Sequence, residues 1–204
     1  MWRIEKYDGS QDLTFFFQEA EKKRFFNNSS ANMLLSTIEK DEDEAVLFLL
    51  YNNDRIIGTT VAHSLRELGI LGEDAHRIAA RICVLSHLVQ GPRLHTSLRS
   101  IKQAPKPHDH PSAQFLIPAC IEHCGRDKPM YISTNASSVG KQKAVHTKWA
   151  PEWQRRGYLE EPIELEYRGS FQSFWKFNVD NFYKEMEDER WKEAEEIIPI
   201  LGKD

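Results

Sequence analysis

With 204 residues the chain suffices for one domain with a sizeable buried core, and its 40% hydrophobic and 28% charged residues suit an ordinary globular protein. A net charge of −4 removes any global electrostatic case for nucleic-acid binding and leaves only local basic patches. No apolar run reaches the roughly 20 residues that cross a bilayer, and Met1 to Lys6 is no apolar signal stretch, so a cytoplasmic protein without membrane contact is expected.

Along the chain, Trp2 to Tyr7 alternates apolar and polar residues and predicts a short strand. Asp12 to Phe26 sets Leu13, Phe16, Phe17 and Ala20 at helical spacing, with Ser10 or Asp12 as the cap. Ser30 to Lys40 reads as a second short helix, and Asp41 to Glu44 as a solvated acidic loop. Two β-rich runs, Ala45 to Tyr51 and Ile56 to Ala62, flank an Asn/Asp turn and predict an antiparallel hairpin. Arg77 to Leu85 reads as one further central strand. The polar segment from Ser86 to Pro111 is longer than most loops, which marks it as a functional insertion or a mobile one. Ser112 is placed to cap a helix reaching Cys124, its start kinked or delayed by Pro118 and its end marked by Gly125. Cys120 and Cys124 then share one helix face as reduced thiols, since these two and Cys83 are too few for a disulfide framework.

Met130 to Thr134 predicts a short strand, and Ser138 to Arg156 a helix interrupted by Pro151. Ile163 to Tyr167 and Phe171 to Phe177 form a second hairpin around Arg168 to Ser170. The charged tail from Asp180 to Ile198 carries a broken apolar stripe and predicts a terminal helix. The expected division is a domain over 1–178, with its insertion at 86–111, followed by a helical extension over 179–204.

This order of elements, from Trp2 to Phe177, resembles the GNAT superfamily of N-acetyltransferases. Arg77 to Val84 looks like the family's fourth strand, and Tyr131 to Asn135 like its fifth with the polar turn after it. Gly157 and Tyr158 resemble the Gly-aromatic pair that closes the next helix, and Tyr167 to Phe177 is similar to the final hairpin of small phage-encoded members. The resemblance implies an α/β fold: a mixed central sheet with splayed parallel strands flanked by helices, plus a C-terminal helix. It also implies transfer of an acyl group from acetyl-CoA, or another acyl-CoA, to an amine on a small-molecule or macromolecular acceptor. In that picture the main chain of Ile82, Cys83 and Val84 lines the acyl site, with Ser133 and Asn135 bordering its other side. The family's Gln/Arg-x-x-Gly-x-Gly/Ala loop, which cradles pyrophosphate, is not matched. His87 to His95 keeps one glycine, Gly91, and Pro92 removes a donor. Arg93, with Arg99 and Lys102, offers charge instead; alternatively the helix beginning at Ser112 supplies the phosphate-binding end.

Acyl transfer to an amine needs a base for the ammonium proton and an acid for the leaving thiolate. The family often uses a tyrosine on the helix after its fifth strand, and none lies between Asn135 and Gly157. His146 is the candidate acid or base there, set against a plain packing or surface role; Glu122 and His123 are further candidates. Cys83, between Ile82 and Val84, reads as core rather than nucleophile. His108 and His110 raise a metal question, but alternate residues of an extended chain point apart, so no metal is expected. Lys141 to Arg156 interleaves basic residues with Trp149 and Trp153. That stretch either contacts nucleic acid or cofactor phosphate, or is an amphipathic helix with its tryptophans in the core, which their i,i+4 spacing favours. Two other functions stay open: a phage-type enzyme modifying nucleic-acid bases, and a binding module without catalysis. A homodimer is left open as well.

Overall fold

The structure, a computed structural model, describes residues 1–22, 45–78, 83–85, 88, 112–135 and 145–184. In chain order its elements begin with β1 (Trp2–Lys6), α1 (Thr14–Lys22), β2 (Ala45–Asn52) and β3 (Arg55–Ser64). Next come a 3-10 turn (Gly69–Leu71), β4 (His76–Ile78), β5 (Cys83–Val84) and a π-helical turn (Ser112–Leu116) leading into α2 (Ile117–Cys124). The last are β6 (Met130–Asn135), α3 (Val145–Arg155), β7 (Ile163–Tyr167), β8 (Ser170–Lys176) and α4 (Val179–Lys184). The strands form one mixed sheet in the order β1-β2-β3-β4-β6-β8-β7, with β5 also pairing β3. Its one parallel pair is β4 with β6; the other pairs between described strands are antiparallel.

The hairpins form for local reasons. At the β2–β3 turn Asn53 takes a left-handed backbone, φ 55°, which asparagine tolerates better than most residues. Asn53 also accepts the terminal ammonium of Met1 on its Oδ1 at 2.6 Å and donates its N–H to the Met1 carbonyl at 2.7 Å. The β7–β8 turn has positive φ at both central residues, Arg168 (49°) and Gly169 (76°), the primed geometry that matches strand twist. β2 is apolar from Ala45 to Tyr51 because both its faces are covered: Phe48 and Leu50 enter one core, Leu47 and Leu49 another.

On one face of the sheet the main core gathers Ile57, Ile78 and Ile132 under α2, α3 and α4. Phe182 of α4 is fully buried there, against Trp153, Tyr158 and Phe177. α1 covers the other face through Leu13, Phe16 and Ala20. Its cap is Asp12, whose Oδ1 accepts the Thr14 N–H at 2.9 Å.

Three sequence expectations change. The single strand expected over Arg77 to Leu85 is two short ones, His76–Ile78 and Cys83–Val84. Five residue steps separate Ile78 from Cys83 where only three separate their β3 partners, Ala62 and Thr59, so one continuous register is impossible. The helix expected from Ser112 opens as a π turn and becomes α-helical only at Ile117, next to Pro118, whose ring and missing N–H disfavour regular α-helical bonding to the turn before it. Pro151 does not interrupt α3. The helix forgoes one backbone bond, and buried Ala150 and Trp153 anchor it on either side of the proline. The end of the first expected helix, over 23–26, the segment over 30–44 and nearly all of 86–111 lie outside the described residues. Among those described, no helix is long and apolar enough to cross a membrane.

Candidate functional site

The parallel pair holds only at its start. His76, Arg77 and Ile78 face Met130, Tyr131 and Ile132. Beyond that point each side keeps only its outer partner. β5, like β4, lies on β3, with Cys83 opposite Thr59 and Val84 opposite Gly58, and the Leu85 N–H continues the contact to the Ile57 carbonyl at 2.6 Å. β6 stays on β8, its partner from Tyr131 onward, with Ser133, Thr134 and Asn135 opposite Phe174, Ser173 and Gln172. Among the described residues no ladder joins β5 to β6. The sheet therefore opens between them, and each wall carries main-chain N–H and C=O groups along its inner edge.

Register shows which residues stand level with this slot. From the row holding Ala62, Ile78 and Ile132, three steps along β3 reach Thr59 and three along β6 reach Asn135. Thr59 pairs Cys83 on one wall, and Asn135 pairs Gln172 behind the other. Thr59 is fully buried, and among the described residues its hydroxyl has no hydrogen-bond partner.

The β6 wall is braced by a polar network on the α1 face. Ser133, 1% exposed, donates its hydroxyl to Gln172 Oε1 at 2.7 Å. Arg77 Nη2 donates to the same oxygen at 3.1 Å, and Gln172 Nε2 donates to Ser170 Oγ at 3.1 Å. The Arg77 guanidinium also lies 5.3 Å from the centre of the Tyr167 ring. Burial pushes the Tyr167 phenol up to about 12, so it keeps its proton at neutral pH. Tyr131 is raised in the same way, and its hydroxyl donates to the Leu71 carbonyl at 3.3 Å.

Of the expected site residues, the structure brings Ser133 and Asn135 to one wall and Cys83 and Val84 to the other. Ser112 opens the π turn before α2, and His146 lies in the first turn of α3; their side chains, like those of Cys83, Val84 and Asn135, are outside the described residues. Ile82, Gly91, Arg93, Arg99, Lys102, His108 and His110 also lie outside them.

Glu122 and His123 stand elsewhere. Glu122 is tied to Arg126 at 2.6 Å and accepts the Tyr183 hydroxyl at 2.8 Å. His123 packs edge-on against Phe48, and its pKa is lowered by burial, with Lys6 and His76 adding to the shift. Both belong to α2, on the face opposite the Ser133 network. Trp153 is core, as its spacing predicts, while the side chain of Trp149 lies outside the described residues. Arg77, Thr59 and Gln172 were missed.

No family model matches this sequence, and no curated protein does. The fold is similar to that of a protein from Desulfovibrio desulfuricans assigned to the GNAT acetyltransferases, with a TM-score of 0.55 over 88% of this chain and 99% of that one, at 13% identity. It is also similar to an uncharacterized protein from Bacillus halodurans, with a TM-score of 0.52 over 97% of this chain and 91% of that one, again at 13% identity. At such identity the likeness is one of fold: a mixed sheet flanked by helices, as in the GNAT acetyltransferases.

Proposed function

We propose that this chain is an N-acyltransferase that moves an acyl group from acyl-CoA to an amine. The observation that carries this reading is that β5 stands apart from β6 just beyond the last β4–β6 pair, Ile78 with Ile132. An amide-bearing chain such as the pantetheine arm of coenzyme A, laid between those strands, meets backbone donors and acceptors on both walls as an added strand would. Thr59, buried beside Cys83 and without a hydroxyl partner among the described residues, marks the same level as polar.

In this reading the main chain of Cys83 and Val84 holds one side of the donor and that of Asn135 the other. Ser133 and Arg77, both bonded to Gln172, keep β6 against β8 so that the wall does not close. Gly91, Arg93 and Ser112 are assigned to the phosphates. His146, at the start of the helix following β6, is assigned to proton transfer. Acyl-CoA, when bound, supplies a thioester carbonyl as the electrophile. The deprotonated amine attacks that carbon; a C–N bond forms, the C–S bond breaks, and a proton passes to the departing thiolate.

Isothermal titration tests the donor. Acetyl-CoA, or one of a series of longer acyl-CoAs, is expected to bind at a single site. Absence of heat with every member of the series would overturn the proposal.

A further inference from the structure

The sheet ends on β7, which among the described residues pairs β8 on one side only. The two-residue turn at Arg168 and Gly169 makes Tyr167 and Ser170 a hydrogen-bonded pair, and such pairs alternate along an antiparallel ladder. Ile163, Leu165 and Tyr167 therefore point their main-chain N–H and C=O groups at β8, whereas Glu164 and Glu166 point theirs outward. Proline and bulges are common ways of blunting a free edge, and neither interrupts the run from Ile163 to Tyr167.

The side chains of this edge divide by face. Ile163 and Leu165 share one, and Ile163 is 39% exposed. Glu164 and Glu166 share the other, both exposed, beside Phe171, which pairs Glu166 and is 62% exposed. Carboxylates nearby are engaged: Glu160 with Lys176 at 3.1 Å, Glu161 with the Gln154 amide at 2.8 Å, and Glu152 with Arg156. Glu164 and Glu166 have no such partner among the described residues.

The main chain makes this edge able to accept a strand, and the charges decide which strand. A second copy paired through β7 in antiparallel register about Leu165 would set Glu164 against Glu166 twice, like charges at cross-strand distance. A strand with basic side chains at alternate positions and apolar ones between them instead sets cations opposite Glu164 and Glu166. Its apolar groups then lie beside Ile163 and Leu165.

We infer that the outer edge of β7 docks an extended segment of a partner protein, one in which lysine or arginine alternates with apolar residues, as the next strand of the sheet. This goes beyond the acyltransferase reading and does not depend on it.

The test is titration of the full chain at low ionic strength with a seven-residue peptide alternating lysine and valine. Two controls accompany it: the same peptide with glutamate for lysine, and the lysine peptide methylated on the backbone nitrogens of its lysines, which keeps the charge and removes the donors that would face β7. The lysine peptide is expected to bind about tenfold more tightly than either control and to slow amide exchange over Ile163 to Tyr167. A Glu164→Gln/Glu166→Gln double variant, altered only at exposed side chains, is expected to lose the preference for lysine over glutamate. Equal binding of the methylated peptide would mean charge attraction without strand addition and would overturn the inference. So would an undiminished preference in the double variant, no binding of the lysine peptide, or a chain that sediments as a dimer with β7 already protected from exchange.

Discussion

Gln172 shows how one side chain can hold a wall of the site. Its carbonyl oxygen accepts from both Ser133 and Arg77 while its amide nitrogen donates to Ser170. A Gln172→Leu substitution keeps much of the volume but strips the buried Ser133 hydroxyl of its acceptor and takes one acceptor from Arg77. Leaving such a group unsatisfied costs about 1–3 kcal/mol, so the midpoint of urea unfolding is expected to fall with its slope unchanged. A midpoint equal to wild type would mean that the network does not brace β6. At this scale the sequence was half readable. Ser133 was singled out only through the likeness of Tyr131 to Asn135 to a family strand, and the pairing places it on the β6 wall. Gln172 was not, because Gln172 and Ser173 are adjacent polar residues of an alternating strand, and only the pairing with β6 shows that Gln172 shares its face with Ser133. The two helix thiols were also readable: Cys120 and Cys124 are free, and burial raises both above the ordinary thiol value, Cys124 to about 12.

Among the elements, α3 ends on a device visible in the sequence. Gly157 adopts φ 81°, its N–H bonds the Gln154 carbonyl at 2.9 Å, and the Tyr158 N–H reaches back to the Trp153 carbonyl at 2.9 Å. This is the paired closure that a left-handed residue after a helix allows. The Gly157 carbonyl then accepts the Asn181 side chain at 3.1 Å, which links the end of α3 to α4. A Cβ at Gly157 would meet only Asn181 Nδ2, at 3.5 Å, an ordinary contact, so the cost of Gly157→Ala is that of the backbone conformation. A loss of about 1 kcal/mol on urea unfolding is expected. No loss would mean that the turn relaxes to another conformation. The two hairpins, the cap at Asp12 and the stop at Gly125 were legible for the same reason: each is set by residues within one turn of the chain. The break between β4 and β5 was not. It arises from pairing with β3, some twenty residues away in sequence, and Arg77 to Leu85 carries no mark of it.

For the molecule as a whole, the succession of elements was enough to suggest the architecture, since a parallel pair joined through a helix leaves few ways to arrange the remaining strands. Where the sheet opens, and which side chains gather around the opening, depends on contacts between distant strands that no local pattern encodes. The slot is the feature on which the proposed function turns, and amide hydrogen exchange reads it directly. With acetyl-CoA added, exchange in peptides containing Cys83 to Leu85 and Ser133 to Asn135 is expected to slow together, because a bound chain occupies the facing edges of both strands. Unchanged exchange in both peptides while the donor demonstrably binds would contradict the account, because the binding site would then lie away from the parted strands.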